Sequence, residues 1–331
     1  MLSDVRAECA TPLYIPEPRR LGHSGTLAVA TVDRRGVCAL ASADTGAGIV
    51  HNVEEENPLD PETQRHLDEA WDALEEGDLR AALRALKRAR EDAPDDPEVL
   101  ELEAEYALAD ERPNDALEVY RRWSAVDPGD AEPWLGSAEV YLENGEPGEC
   151  ARLLRELLAD FELDPLDEAD ARHLLGIACE EKGDRKGMVT EWLAVLRLDA
   201  ANDPPEPRVD PSRFDEIAED ALEELPPEVL THLRNVPIFV EERPSEALVL
   251  EGLDPRTLGL FHGIAMPDQS SLGPGPDTGL IHLFQRNLER EIDDEDDSEA
   301  DIAEQIRLTV LHETAHYFGA DESDELRFGL N

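Results

Sequence analysis

Between residues 60 and 200, small and apolar residues return at intervals of 34. Ala70, Ala104 and Ala138 are spaced in this way, as are Leu86, Tyr120 and Leu154, then Ala82, Ala116 and Cys150, and finally Pro94 and Pro128; Gly77 and Gly145 lie two intervals apart. A period of that length means one supersecondary unit copied several times, each too small to bury its own apolar face and therefore stacked on its neighbours. Inside each interval the apolar residues recur at helical spacing in stretches of 12 to 15, separated by Gly, Asp and Pro. Each unit is therefore expected to be a pair of helices.

Charge narrows the function of the 331-residue chain. It carries 30 Lys and Arg against 79 Asp and Glu, a formal charge of −49. Phosphates are repelled by such a chain, so nucleic-acid binding and attachment to anionic membranes are both excluded as expectations. No apolar run has the length of a membrane span. The opening MLSDVRAECATPLYIPEPRR lacks the basic, apolar and small-residue order of a signal peptide. Cys9, Cys38, Cys150 and Cys179 are widely separated, with no C-x-x-C pair, which argues against a zinc ribbon or a disulfide framework and for a reducing, cytoplasmic setting.

The charge also marks boundaries. Residues 1–50 hold five Arg and five acids, so the excess lies entirely beyond them. Residues 1–58, rich in Ala, Gly, Thr and Ser, read as a disordered arm or a mis-called start, with a short hairpin around Asp33–Gly36 as the one pairing they offer. Residues 59–202 form the repeats. Residues 203–212, DPPEPRVDPS, are a Pro-rich linker, and 213–331 form a further domain.

The 34-residue interval, the small residues at close-approach positions and the Pro after the second helix resemble the tetratricopeptide repeat. The stretch WLGSAEVYLENG, with Trp134, Leu135, Gly136, Ala138, Tyr141 and Gly145, matches its first helix, and a looser fourth unit follows with Gly176, Ala178 and Gly183. The resemblance implies a concave groove that binds a peptide; a spacer or oligomerisation module is the plainer alternative. Basic side chains are outnumbered, so a partner on the repeats is expected to be basic or apolar.

The last 31 residues carry the chemistry. Ile302, Ile306 and Val310 recur every four positions, as on the buried face of a helix, and Leu311, Ala315 and Phe318 extend that surface. On the same helix lies the motif H-E-x-x-H: His312, Glu313, His316. Two His four apart project from one face and can reach a single metal ion, and Glu313 beside them can act on a water there. Two surface His on a Glu-rich helix would give the same letters, but the apolar flanks, Gly319 three residues after the second His, and the carboxylates Asp321, Glu322 and Asp324 favour a site. Two imidazoles and a carboxylate, with no Cys nearby, form a catalytic rather than structural set for Zn²⁺. Glu322 lies ten positions after the first His and is the expected third ligand, with Asp321 and then Asp324 as alternatives.

TVLHETAHYFGADESDEL, with the preceding FDEIAEDALEELPPEVLTHLRNVPIFVEE, DPRTLGLFHGI and LIHLFQRNLERE, resembles the minimal zincin-like metallopeptidases, whose motif reads H-E-x-x-H-x-x-G-x-x-D. The resemblance implies a small α+β domain after the helical repeats, His312 and His316 as zinc ligands, Glu313 as catalytic general base and the +10 residue as third ligand; here that residue is Glu322 rather than Asp. The expected function is a zinc-dependent metallopeptidase whose repeats recruit a peptide or protein substrate or partner. The alternative is a non-catalytic repeat scaffold with a structural zinc domain.

VPIFVEE (236–242) and GLIHLF (279–284) read as short strands. GLIHLF or GLFHGI is the candidate edge on which an extended substrate would add as a further strand. His262 and His282, within these strands, and Tyr317 are read as packing rather than chemistry. The run REIDDEDDSEADIAE (290–304) reads as an acidic loop leading into the motif helix.

Overall fold

The computed structural model describes residues 19–20, 59–223, 225, 233, 236–262, 280–292 and 299–317. By backbone contacts the chain divides into two compact units, one of Leu40–Asp203 with Glu246–Pro255, the other of Met1–Ala39, Pro204–Ser245 and Arg256–Asn331. The hairpin expected around Asp33–Gly36 lies outside the described residues, as do Gly319 and residues 293–298 of the acidic run.

The first unit is built from eight consecutive helices: α1 (Pro61–Glu75), α2 (Leu79–Asp92), α3 (Pro97–Ala109), α4 (Pro113–Val126), α5 (Glu132–Glu143), α6 (Pro147–Asp160), α7 (Pro165–Glu181) and α8 (Arg185–Asn202). Their starts are written in the sequence. Pro61, Pro97, Pro113, Pro147 and Pro165 stand where a helix needs no amide hydrogen. Asp60, Asp78, Asp96, Asp164 and Asp184 accept hydrogen bonds from first-turn amides as N-caps.

Each turn within a pair repeats one closure. The amides of Gly77 and Asp78 donate to Leu74 and Ala73, those of Glu111 and Arg112 to Leu108 and Ala107, those of Gly145 and Glu146 to Leu142 and Tyr141, and those of Gly183 and Asp184 to Glu180 and Cys179. This closure requires a left-handed residue, and φ is +71° at Gly77, +69° at Gly145 and +72° at Gly183. Position 111 falls on the same 34-residue register, and Glu111 adopts φ 56° there without being glycine.

The residues spaced by 34 are the core. Ala70, Ala104 and Ala138 are fully buried, and Leu86, Tyr120, Leu154, Ala82, Ala116 and Cys150 are buried with them. Residues 246–255 complete this unit. Helix α10 (Glu246–Glu251) places Val249 in the same apolar cluster as Met188 and Trp192. Arg185 donates to the carbonyls of Leu250 at 3.2 Å and Glu251 at 2.6 Å, and His173 Nε2 lies 2.8 Å from the Asp254 carboxylate.

The second unit has a four-stranded sheet and three helices among its described residues. The strands are β1 (Arg19–Arg20), β2 (Ile238–Glu241), β3 (Gly259–His262) and β4 (Leu280–Phe284), in the order β1-β2-β4-β3. β2 and β4 are parallel, while β1 pairs with β2 and β3 with β4 antiparallel. The helices are α9 (Pro211–Glu223), α11 (Gln285–Arg290) and α12 (Glu299–Tyr317). One face of the sheet sends Ile238, Val240, Ile281 and Leu283 into a core with Phe214, Ile217 and Ala221 of α9 and Ile302, Ile306, Val310 and Leu311 of α12. The Pro-rich stretch joins this unit through its backbone: the Glu289 carboxylate accepts from the amides of Arg208 and Val209, and Gln285 donates to the Val209 carbonyl.

Candidate metal centre

The motif helix is fixed by its core face. Ile302, Ile306 and Val310 lie in the core, as their spacing predicts. At the N-terminus Arg213 of α9 grips Glu299 through two bonds of 2.8 and 2.5 Å. Burial of that face in the core sets the direction of the residues that follow Val310. Leu311 and Glu313 are buried and His312 is exposed.

Glu313 is a buried carboxylate with a defined partner. Its Oε2 accepts the backbone amide of Phe261 at 2.5 Å. The direction of that amide follows from the sheet register. Phe284 donates to the Leu258 carbonyl, and Leu260 pairs with His282, so residues 258, 260 and 262 share the hydrogen-bonded positions with β4. The amide of Phe261 therefore faces away from β4, toward the open side of β3. Among the described residues β3 has one neighbouring strand, which makes it the edge; β4, the other candidate, is interior between β2 and β3.

Close approach of helix to strand depends on Gly259. A Cβ there would fall 2.6 Å from Thr309 Cγ2, 3.1 Å from the His282 carbonyl oxygen and 3.2 Å from Glu313 Cγ. Nothing larger than hydrogen fits between β3 and the turn of α12 that carries Thr309 and Glu313. Thr314 is also buried and donates to the Val310 carbonyl at 2.6 Å.

His282 belongs to the opposite face of the sheet. Its ring stacks on Phe284 with centroids 6.1 Å apart, lies 6.3 Å from Phe239, and brings Nδ1 to 3.4 Å from Glu241. Strand alternation places it away from Ile281 and Leu283, which meet α12, so it packs rather than serving the motif. His262 is in β3, and His316 and Tyr317 continue the backbone of α12. The side chains of these three, together with Asp321, Glu322 and Asp324, lie outside the described residues. Among the described residues no three His, Cys, Asp or Glu side chains converge as a metal-binding group. What is described fits the implied zinc by its donor chemistry. An exposed imidazole stands one turn before a second His on the same helix, with a buried, oriented carboxylate beside it.

Known families match parts of the chain. A family described as zincin-like metallopeptidase matches residues 233–327, and two described as tetratricopeptide repeat match 67–131 and 107–166. No curated protein matches the chain. Among solved structures, MamA 41-end from Desulfovibrio magneticus RS-1 is 18% identical over 43% of this chain and 78% of its own, with a TM-score of 0.37. A crystal structure of MamA protein is 20% identical over 49% and 80%, with a TM-score of 0.36. An O-GlcNAc transferase variant from Thermobaculum terrenum is 27% identical over 45% and 29%, also with a TM-score of 0.36.

Proposed function

We propose that this chain, tetratricopeptide repeats followed by a zincin-like metallopeptidase domain, is a zinc-dependent metallopeptidase whose repeats recruit its substrate or a partner protein. The observation that carries the reading is Glu313: buried, next to His312, and held by an amide on the open edge of β3. His312 and His316 would hold Zn²⁺ with Glu322, or Asp321 in its place, as the third ligand. When bound, zinc supplies Lewis acidity and lowers the pKa of water at the site.

The remaining work falls to the chain's own groups. One carboxylate oxygen of Glu313 is anchored by Phe261, which fixes the plane of the group. The carboxylate takes the proton of the attacking water and returns it to the departing amine nitrogen. An extended peptide laid along β3 would pair with outward strand backbone other than the Phe261 amide, which Glu313 holds, and bring its carbonyl to the motif. Core packing of α12 and the Phe261 amide hold the base in place, so that its orientation is set before substrate arrives.

A reducing, cytoplasmic compartment suits Cys150 and Cys179, both buried free thiols. Burial is the main force that pushes the Cys150 thiol up to about 12, so it stays protonated and inert.

The test joins metal content to turnover. Wild type should carry about one zinc per chain. Glu313→Gln should keep the metal and lose cleavage of a peptide library by about 10²- to 10⁴-fold. Identical behaviour of the two proteins on that library would defeat the enzyme reading and leave a zinc-bearing scaffold.

A further inference from the structure

Helix α11 is six residues long, and four of its polar side chains, Gln285, Arg286, Asn287 and Glu289, are buried. A buried polar group is costly unless it is bonded, so the partner of each side chain shows what the helix holds. Gln285 and Glu289 hold the Pro-rich stretch at Arg208 and Val209. Arg286 holds the Glu206 carbonyl and the Glu242 carboxylate. Asn287 reaches the approach to β3 instead: its Nδ2 donates to the Thr257 carbonyl at 2.7 Å.

That bond lies where β3 is least supported. The chain belongs to the repeat unit from Glu246 to Pro255 and returns at Arg256, one residue before Thr257. β3 itself is four residues long and, among the described residues, pairs with β4 alone. A short edge strand frays readily, because few ladder bonds have to open together. Its start is tied at two neighbouring carbonyls, Thr257 by Asn287 and Leu258 by the Phe284 amide at 2.9 Å. What the strand carries needs such a tie. Gly259 lies too close to Thr309 and Glu313 to admit a Cβ, and the Phe261 amide donates to Glu313. Thr257, Gly259 and Phe261 are alternate residues of one short stretch, so movement at Thr257 displaces the amide that orients the base.

We propose that Asn287 is a positioning residue for the Glu313 carboxylate: by holding the Thr257 carbonyl it keeps β3 seated, and with it the Phe261 amide on Glu313. The effect runs through strand backbone. This inference rests on the peptidase reading, because the group being positioned is the general base of that reading.

The test compares Asn287→Ala with Glu289→Gln in the full chain. Both weaken a buried bond of α11, but Glu289 holds the Pro-rich stretch. The first readout, hydrogen exchange at the Phe261 amide, needs no turnover. Exchange should quicken about fivefold or more in Asn287→Ala and less than about twofold in Glu289→Gln. The second readout is kinetic, on a peptide that wild type cleaves. In Asn287→Ala kcat should fall about tenfold, with KM and zinc content held. In Glu289→Gln it should stay within about twofold of wild type. Asn287→Ser, which keeps a donor, serves if the Ala variant does not fold, and should show a smaller effect in the same direction. Equal exchange in the Asn287 and Glu289 variants would overturn the proposal, as would faster exchange with kcat unchanged. No cleavage by any form, wild type included, would defeat the peptidase reading instead, and exchange at Phe261 would then decide alone whether Asn287 seats the strand.

Discussion

The two units are held together in opposite ways. In the repeat unit the bonds that close each turn join residues three to five apart, and helix packs on the next helix in sequence. In the C-terminal unit the decisive contacts join distant residues: Val209 with Glu289, Arg213 with Glu299, Phe261 with Glu313. A local architecture tolerates a flaw within one repeat, because each repeat depends on its neighbours alone. A non-local one transmits a flaw to its site, because strand and helix must meet within tenths of an ångström. The repeat unit can therefore vary its surface charge freely, whereas the C-terminal unit has little latitude around Gly259.

That contrast breaks most sharply at Gly259. Gly259→Ala should cost about 1–3 kcal/mol by overpacking against Thr309 and Glu313, read as a lower melting temperature of the C-terminal unit. Adding Thr309→Ser removes the Cγ2 that lies 2.6 Å from the new methyl group and should restore most of the stability. Peptide turnover should stay depressed, because Glu313 Cγ remains crowded at 3.2 Å. Full recovery of both would show that Gly259 serves packing alone.

In the repeats the matching experiment should stabilise. Glu111 is exposed and holds a left-handed φ at a position where three equivalent turns use glycine. Glu111→Gly should gain about 1 kcal/mol, measured by denaturant unfolding, with no change in metal content. A loss of stability would mean that the Glu111 side chain contributes more than its backbone costs.

The smallest effect is electrostatic. The Glu101 carboxyl is raised from 4.5 to about 7 by burial first and by Glu132, Glu105, Glu98 and Asp130 after it. A raised pKa means that the folded state holds the proton more tightly, so stability declines as pH rises from 4.5 through 7. Glu101→Gln should therefore melt higher than wild type at pH 8, by about 1 kcal/mol or less after solvent screening, and match it below pH 4.5. A difference independent of pH would rule out this origin.

What the sequence discloses follows the same divide. The 34-residue register locates the buried positions, and even Glu111 is found by counting from Gly77. The spacing of Ile302, Ile306 and Val310 correctly orients the motif helix, since core burial leaves a periodic trace. Other features leave none. Nothing in EALVLE shows that Val249 packs with Met188 and Trp192, because a six-residue helix has too few turns to display a period. The edge strand was ambiguous between two runs of similar composition, and strand order is set by pairing, not by residue type. Phe261 was invisible as a partner of Glu313, since the group that acts is a backbone amide common to nearly every residue.

That amide has a consequence for solubility. A lone strand edge is an invitation to any other chain with unpaired backbone, and proteins guard such borders with charge. Here the outward N–H of Phe261 is already occupied, and the occupant is an anion that a stray strand must first dislodge. Glu313 thus makes the border costly to join for casual neighbours, and removing it would be expected to leave a stickier molecule as well as an idle one.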